Sequence, residues 1–235
     1  MNAILQIDKP LFTVDSVLFT VHDGVLKVLM AKRAESPFAG YWGLPGGFID
    51  ISLDENTDMT ARRKLFSKTG LVPSYLEQLQ VISGPKRDPR GYSVTLAYYA
   101  LVAHQNVESK ISSVESTCWL NVSELPTLLI AFDHRQIIDM AQQRLQQKTL
   151  YSMIPVFCLP EKFSIGQLIK VIEAIIEKPI QRKSLMRRIE ASEMFVISNE
   201  KISSGGRLAQ LYALKPGADI VNFERNLSAS HERNS

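Results

Sequence analysis

Before Leu150, the chain alternates short apolar, β-branched runs with turn-forming residues and two stretches of helical periodicity. The tripeptide His22-Asp23-Gly24 between the first two runs is a hairpin signal. Asp54 is the predicted N-cap of the first helix. Strands interleaved with two helices favour an α/β sandwich. The predicted strands are 11–21, 25–32, 76–83, 93–103 and 117–120, and the predicted helices are 53–69 and 133–147.

After Leu150 the pattern changes to two short helices and a hairpin. Ser164-x-x-Gln167 is a capping box that opens a helix with apolar residues at helical spacing, and Lys178-Pro179 ends it. A second, basic helix is predicted over 181–191. Two apolar runs that flank the glycine-bearing loop 203–207 then predict a β-hairpin.

The composition is that of a folded protein with room for two modest domains: 235 residues, 45% hydrophobic and 22% charged. The pattern divides the chain into domains 1–149 and 150–221 and a polar, frayed tail, 222–235. Two separated cysteines form no metal or redox motif, and no apolar run is long enough for a signal peptide or a membrane span. We therefore expect a cytoplasmic protein without a membrane partner.

The net charge of +3 is unevenly distributed. Residues 1–149 carry 15 basic and 15 acidic side chains, whereas residues 150–235 carry 12 and 9. Within 178–215 there are eight basic residues against three acidic ones. Positive charge concentrated in one late segment indicates a nucleic-acid-binding module, although a plain solvated surface also carries such charge.

The segment 44–71 contains Leu44-Pro45-Gly46-Gly47, then Glu55, Arg63 and Gly70-Leu71. These residues resemble the Nudix box of nucleoside-diphosphate-X hydrolases, G-x5-E-x7-R-E-U-x-E-E-x-G-U, where U is apolar. Glu55 and Arg63 keep the E-x7-R spacing, and Gly70-Leu71 closes the motif. Seven residues instead of five separate Gly47 from Glu55. The three glutamates of the box helix are replaced by Lys64, Ser67 and Lys68.

These replacements remove the chemistry of the box. Positions 64, 67 and 68 share one helix face, where carboxylates would bind the Mg²⁺ or Mn²⁺ that activates water. The formal charge of that face changes from −3 to +2, so we expect no catalytic residue, no metal and no cofactor. Lys64 and Lys68 either supply the positive charge that the metal supplied or form a solvated helix face. Glu55 and Arg63 are expected to form a structural ion pair.

The pattern of helix, turn, basic helix and hairpin resembles a winged helix-turn-helix. A basic helix can enter the major groove of DNA, and a glycine-rich wing tip lets Arg207 approach the backbone or the minor groove. A small capping domain with a basic surface is the alternative interpretation. The predicted DNA-binding residues are Arg182, Lys183, Ser184, Arg187, Arg188, Lys201 and Arg207.

Together the two halves resemble the Nudix-related transcriptional regulator family (NrtR) of bacteria, over about residues 12–216. The resemblance implies a Nudix-type α/β/α sandwich followed by a winged helix-turn-helix domain. It also implies a regulator, in most members a repressor, of NAD metabolism genes that senses ADP-ribose or a related nucleotide. We expect a homodimer on double-stranded operator DNA, because one short helix reads too few base pairs. We expect the helix 133–147 and the linker 148–161 to transmit the effect of ligand binding from the Nudix domain to the DNA-binding domain.

A second stretch supports a nucleotide effector. Arg87 and Arg90, in the loop before a predicted strand, resemble the loop of ADP-ribose-type Nudix proteins and can donate to phosphate or ribose oxygens. Arg33 stands at a strand end that faces the diphosphate in such folds. The aromatic residues Phe38, Tyr41 and Trp42 are candidates for stacking on adenine or for the core. The predicted effector-binding residues are Arg33, Glu55, Arg63, Lys64, Lys68, Arg87 and Arg90.

Two alternatives of other classes remain. One is an active ADP-ribose pyrophosphatase with non-standard metal ligands drawn from Asp50, Asp54, Glu55 and Asp58. The other is a nucleic-acid-binding module whose Nudix domain serves only as a dimerisation scaffold. Phosphate release from ADP-ribose tests the first alternative, and a thermal shift with nucleotide sugars tests the second.

Overall fold

The computed structural model describes residues 9–107, 114–204 and 207–223. It divides the chain into two compact units, Met1–Gln143 and Arg144–Ser235. The strands and helices up to Thr149 are β1 (Leu11–His22), β2 (Val25–Arg33), β3 (Trp42–Gly43), β4 (Gly46–Phe48), α1 (Thr57–Thr69), β5 (Tyr75–Gly84), β6 (Ser93–Leu101), β7 (Val114–Asn121) and α2 (His134–Thr149).

One mixed sheet organises the first unit. Its main path runs β3-β2-β1-β6-β5, with β4 paired to β1 and β7 paired to β2. Strands β1 and β6 are parallel, and the other pairs are antiparallel. Nine consecutive residues of β1, from Thr13 to Val21, are buried, so its polar residues Asp15, Ser16 and Thr20 also lie inside the fold. The predicted hairpin turns at Asp23 and Gly24, both with positive φ, as a two-residue turn of this handedness requires.

Helix α1 covers part of this sheet. Leu65 packs with Leu18 and Leu29, while Ala61 packs with Val14. The predicted start of this helix was wrong. Asn56 is the N-cap and accepts a hydrogen bond from the Met59 N–H at 2.9 Å. Asp54 cannot take that role because its carboxylate is already bound by other groups, described below.

The second unit has its own core. Its elements are β8 (Lys162–Ser164), α3 (Ile165–Ile176), α4 (Arg182–Ser192), β9 (Phe195–Ser204) and β10 (Arg207–Leu214). Ser164 and Gln167 form the predicted capping box of α3. Phe163, Leu168 and Leu185 are buried together, which packs the two helices against a three-stranded sheet of order β8-β10-β9. Two helices followed by a β-hairpin form the predicted winged helix.

The predicted start of the polar tail needed correction. Asn222 bridges to Ser152, and the Phe223 N–H donates to the Tyr151 carbonyl at 2.6 Å, so the polar tail does not begin at residue 222. Residues 224–235 of that predicted tail lie outside the described part. No helix in the described part is long and apolar enough to cross a bilayer.

Candidate effector pocket and nucleic-acid interface

A cavity of about 130 Å³ lies in the first unit. Its wall brings together β1, the end of β2, β4, the end of α1, the loop 87–90 and the start of α2. Four predicted effector-binding residues line it: Arg33, Lys68, Arg87 and Arg90. The other charged and aromatic lining residues are Asp15, Phe48, Asp88, Phe132 and His134.

Two glycines bring the backbone of β4 against one side of the cavity. A Cβ atom at Gly46 would overlap the Asp15 carboxylate and the Val14 carbonyl, so only glycine fits. Gly47 has φ +147°, a conformation that L side chains rarely adopt. A Cβ there would lie 3.4 Å from Nζ of Lys64. The Leu44-Pro-Gly-Gly segment thus exposes backbone to the cavity, with the Lys64 ammonium beside it.

Lys68 lines the cavity and does not lie on a solvated helix face. The pKa of its ammonium is lowered to about 8, chiefly by burial; the nearby charges of Lys64 and Arg33 act in the same direction, and Asp15 opposes the shift. The pKa of Lys64 is also lowered, chiefly by burial. The lysine that replaces a glutamate of the box is therefore a partly desolvated cation at the position a metal ligand would take.

Asp15 and His134 form a polar floor that the sequence analysis missed. The Asp15 carboxylate accepts a hydrogen bond from Thr95 Oγ1 at 2.8 Å and lies 3.8 Å from Nε2 of His134. Nδ1 of His134 accepts from the Leu44 N–H at 2.9 Å, which assigns the ring proton to Nε2. Burial lowers the pKa of His134, so the ring is neutral at pH 7. A lone carboxylate within an apolar strand was the sequence signal for Asp15.

The guanidinium of Arg87 is hydrogen-bonded to other side chains of the protein and does not face solvent. Nε and Nη2 each donate to Asp133 at 2.9 Å, and Nη1 donates to Ser93 Oγ at 3.0 Å. Only 9% of the side chain is exposed. The predicted bidentate contact to a phosphate therefore does not fit, because the donors it needs already have acceptors. Arg87 builds the wall of the cavity.

Arg33, Arg90 and Phe132 form a stack at the cavity. The guanidinium of Arg33 lies 5.0 Å from the Phe132 ring centre, and that of Arg90 lies 6.0 Å from it. Arg90 also lies 5.3 Å from the ring of Phe48. Asp88 accepts from Nε and Nη2 of Arg90 at 3.0 and 2.7 Å, which lowers the pKa of the Asp88 carboxyl. Two arginines thus flank one aromatic ring.

The aromatic residues that the sequence suggested for stacking on adenine lie outside the cavity lining. Phe38 contacts the edge of Phe132, with ring centres 4.8 Å apart, and Tyr41 contacts Phe38 at 5.6 Å. Neither these two nor Trp42 lines the cavity. Phe132 does, and its backbone is left-handed, with φ 54°. Such strain in a bulky residue is a signal of function that periodicity cannot supply.

Glu55 and Arg63 do not form the expected ion pair. Arg63 donates from Nε and Nη2 to Asp54 at 2.6 and 2.5 Å. Thr60 Oγ1 donates to the same carboxylate at 2.9 Å, and these bonds hold the pKa of Asp54 well below its ordinary value. Glu55 is exposed. Neither Glu55 nor Arg63 lines the cavity, so the structure does not bring them to the other predicted effector-binding residues.

The carboxylates of the hydrolase alternative have separate partners. Asp50 accepts from Ser52, Asp54 binds Arg63, and Asp58 binds Arg62. Among residues 9–107, 114–204 and 207–223, no group of three or more His, Cys, Asp or Glu is arranged to hold a metal ion. Each of these carboxylates is engaged on its own.

The second unit presents cations on helix α4. Leu185 and Ile189 bury one side of the helix. The exposed residues of the predicted DNA-binding set are Arg182, Lys183, Ser184 and Arg187 on α4 and Lys201 on β9. The side chain of Arg207 and the wing tip at 205–206 lie outside the described part.

Arg188 differs from its neighbours on α4. Its Nη2 donates to the Leu150 carbonyl at 2.6 Å, and its guanidinium lies 5.4 Å from the Phe223 ring centre. The side chain is half-buried. Arg188 is therefore held within its own unit, unlike the exposed members of the predicted DNA-binding set. Its spacing from Leu150 in sequence gave no signal of this contact.

The comparison with known families covers both units. The NUDIX domain model matches residues 12–141, and the NrtR DNA-binding winged helix domain model matches residues 155–214. The ADPR responsive transcriptional repressor NtrR of Acinetobacter baylyi is 37% identical over 219 residues, covering 93% of this chain and 88% of that protein. The ADP-ribose pyrophosphatase of Methanocaldococcus jannaschii is 33% identical over 120 residues, covering 49% of this chain and 68% of that enzyme.

Solved structures match both the whole chain and its first part. The crystal structure of Shewanella oneidensis NrtR complexed with a 27mer DNA has a TM-score of 0.85 and 46% identity, covering 93% of this chain and 100% of that one. The NUDIX domain of the same protein complexed with ADP ribose has a TM-score of 0.59 and 46% identity, covering 61% and 94%. The chain therefore belongs to the NrtR family, whose NUDIX domain is followed by a DNA-binding winged helix domain.

Proposed function

We propose that this chain is a transcriptional repressor of NAD metabolism genes that binds operator DNA and senses ADP-ribose through a NUDIX domain without hydrolase activity. The observation that carries the proposal is Lys68, a cation in the cavity at the place of a metal-binding glutamate. The similarity to an ADPR responsive repressor and to NrtR solved with DNA and with ADP ribose supports the same function.

The cavity offers groups for the diphosphate and for the adenine of ADP-ribose. Lys68 and Arg33 supply positive charge for the diphosphate, with Lys64 beside the Gly47 backbone. Phe132 offers a face on which a purine can stack, in the position next to the Arg90 guanidinium. Binding of this kind needs no divalent cation, because the ammonium groups take over its electrostatic role.

The same site lacks the oxygen ligands that metal-dependent hydrolysis of a diphosphate requires. Metal-assisted attack on a diphosphate needs oxygen ligands that hold the cation and lower the pKa of its water. Lysines occupy two of the three box positions that would provide them, and Asp50, Asp54 and Asp58 are each bound by a different side chain. A sensor gains from this loss, since its ligand is released unchanged.

The winged helix supplies the output. Arg182, Lys183 and Arg187 are exposed on α4 and can contact phosphates and base edges, and Lys201 is exposed on β9. Because one short helix reads few base pairs, we propose a homodimer on a two-fold symmetric operator. ADP-ribose releases the DNA if it binds more tightly to the arrangement that DNA does not accept.

The test uses the full chain and an operator selected from genomic fragments by rounds of binding in vitro. Fluorescence anisotropy then reports DNA affinity at several salt concentrations, with and without ADP-ribose, in EDTA and in Mg²⁺. We expect salt-dependent binding that ADP-ribose weakens equally in both buffers. Absence of selectable DNA, or DNA affinity indifferent to ADP-ribose, would contradict the proposal.

A second candidate function is hydrolysis of ADP-ribose, favoured by the similarity to the Methanocaldococcus jannaschii pyrophosphatase. Its products are AMP and ribose 5-phosphate, which chromatography separates from the substrate. We expect none from the full chain with Mg²⁺ or Mn²⁺. Turnover that disappears in an Arg63→Ala variant would establish the enzyme instead.

A further inference from the structure

Helix α2 is held by polar contacts just beyond each of its ends. At the N-terminal end, Asp133 accepts two hydrogen bonds from Arg87, and His134 accepts one from the Leu44 N–H; Arg87 and His134 both line the effector cavity. At the C-terminal end, the Leu150 carbonyl accepts a hydrogen bond from Arg188 of helix α4. The first residue of α2 therefore lines the cavity, and the residue that follows its last one accepts a hydrogen bond from α4.

The hydrogen bond from Arg188 to the Leu150 carbonyl is suited to holding α4 in a fixed position. A guanidinium that donates to a carbonyl at a helix C-terminus gains from both a charge-assisted hydrogen bond and the negative end of the helix dipole. Phe223 covers one face of the guanidinium, and its N–H donates to Tyr151, the residue after Leu150. Arg188 thus connects three segments: the end of α2, helix α4 and the chain at Phe223.

An apolar cavity lies beside this contact. It has a volume of about 230 Å³ and is lined by Ile172, Ile176, Ile180 and Leu185, with Arg188 among its polar residues. Leu185 and Ile189 bury one side of α4. Arg188 adds to this packing the hydrogen bond that joins α4 to the end of α2.

We propose that Arg188 is a positioning residue that couples the effector cavity to DNA binding, by fixing α4 to the end of α2. The inference rests on the proposed function, because it requires that the chain bind both ADP-ribose and DNA. Occupation of the cavity changes the contacts at Asp133 and His134, and α2 carries that change to Leu150. Arg188 then transmits this change to α4. The residue therefore affects the ratio of the DNA affinities with and without ADP-ribose, and it does not contact a DNA phosphate.

The experiment measures that ratio: the Kd for operator DNA with saturating ADP-ribose, divided by the Kd without it. Allosteric ratios are typically about 5- to 150-fold. In Arg188→Gln we expect the ratio to fall towards one, with ADP-ribose affinity in the absence of DNA unchanged. Arg188→Lys, which keeps a charged donor, should restore part of the ratio and guards against a variant that simply fails to fold.

Arg187→Gln is the matched comparison, because it removes the same charge from the adjacent, exposed position. We expect it to weaken DNA binding with and without ADP-ribose by the same factor, leaving the ratio intact. If Arg188→Gln behaves in that way too, Arg188 is a DNA contact and the inference is wrong. If the unmodified chain shows a ratio of one, the proposed function fails as well, which distinguishes the two failures.

Reciprocity gives a second readout. Linkage requires that DNA weaken ADP-ribose binding by the same factor as ADP-ribose weakens DNA binding. Calorimetric titration of ADP-ribose into the protein, with and without operator, should therefore show the same loss in Arg188→Gln. Coupling in Arg188→Gln that equals that of the unmodified chain in this titration would overturn the role of this residue.

Discussion

Arg87 donates two hydrogen bonds of 2.9 Å to Asp133, a residue 46 positions later in the chain. The two side chains are 9% and 17% exposed, and Ser93 takes a further Arg87 donor. The pair ties the loop before β6 to the residue that precedes α2. An arginine that looked like a ligand contact in the sequence is therefore part of the frame that shapes the cavity.

Removing Arg87 is expected to destabilise the first unit. Arg87→Ala leaves Asp133 as a nearly buried carboxylate without its partner, and losses of this kind cost about 3–5 kcal/mol. Urea unfolding, followed by fluorescence, measures the change. Arg135→Ala is the control, because Arg135 makes an exposed i,i+4 pair with Asp139 that is worth under about 1 kcal/mol. Equal effects of the two substitutions would show that Arg87 has no framing role.

ADP-ribose affinity is expected to depend on the protonation of Lys68. The pKa of its ammonium is about 8 in the free cavity, where it faces Asp15, Lys64 and Arg33. A bound anion stabilises the ammonium and raises its pKa, so affinity is full below pH 8 and falls as pH rises through 8. Calorimetry in buffers of different ionisation enthalpy should record proton uptake on binding near pH 8.

Lys68→Arg serves as the matched variant for that measurement. A guanidinium stays charged to high pH, so this variant should bind ADP-ribose with no fall in affinity above pH 8. Lys68→Gln should bind weakly at every pH. A pH profile that is the same in all three proteins would rule out the Lys68 ammonium as the titrating group.

The contact between Arg63 and Asp54 is expected to stabilise the fold at neutral pH. Hydrogen bonds from Arg63 hold the pKa of Asp54 below its ordinary value of 3.8. The carboxylate therefore contributes stability above about pH 4, and the contribution is lost as pH falls through the lower pKa of the folded state. Arg63→Ala should reduce the free energy of unfolding at pH 7 by roughly 1–3 kcal/mol, measured by urea titration.

Acid unfolding separates this effect from general damage. The stability difference between Arg63→Ala and the unmodified chain should shrink as pH falls below 4, because the protonated carboxyl no longer favours the arginine. Arg62→Ala, which loses an exposed pair with Asp58, should show little difference at any pH. A pH-independent difference for Arg63→Ala would assign its effect to packing.

Phe132 is expected to discriminate ligands with a base from those without one. Stacking of a base on an aromatic side chain is worth about 5- to 150-fold in affinity. Phe132→Leu should lose that factor for ADP-ribose and leave the binding of inorganic pyrophosphate unchanged, whereas Phe132→Tyr should retain both. Parallel losses for the two ligands would mean that the substitution disturbs the cavity as a whole.

Arg187 is expected to contact a DNA phosphate. Removing one such contact lowers the slope of log K against log salt concentration by about 0.9. Arg187→Ala should therefore weaken operator binding and flatten its salt dependence by that amount in an anisotropy titration. Arg62→Ala removes the same charge from the NUDIX domain and should leave the slope unchanged. An unaltered slope in Arg187→Ala would place this residue away from the DNA backbone.

Sequence periodicity predicted most elements because each buries one face or one stripe. The hairpin at Asp23-Gly24 and the capping box at Ser164 carry local signals that tertiary structure did not override. The start of α1 was misplaced because Asp54 and Asn56 are both good N-caps. Only the hydrogen bonds from Arg63 and Thr60 decide between them, and these depend on the folded arrangement.

The candidate site was predictable only in part for a related reason. Lys68 could be placed in the cavity from motif spacing, since the box fixes the face of its helix. Arg87 and Arg188 carry the same charge as residues that bind ligands, and the acceptors that engage them, Asp133 and the Leu150 carbonyl, lie far away in sequence. Phe132 could not be identified from the sequence, because the hydrophobic pattern shows neither the position of its ring nor its positive φ.

The boundary between the two units lies inside α2, after Gln143, and not in a loop. Ile138 and Ala141 are buried before the boundary and Leu145 is buried after it. A cut at that point would leave two helix ends without backbone partners and expose apolar side chains in both fragments. Hybrid regulators built by joining this sensor to another DNA reader must therefore inherit α2 whole, as a component common to both modules.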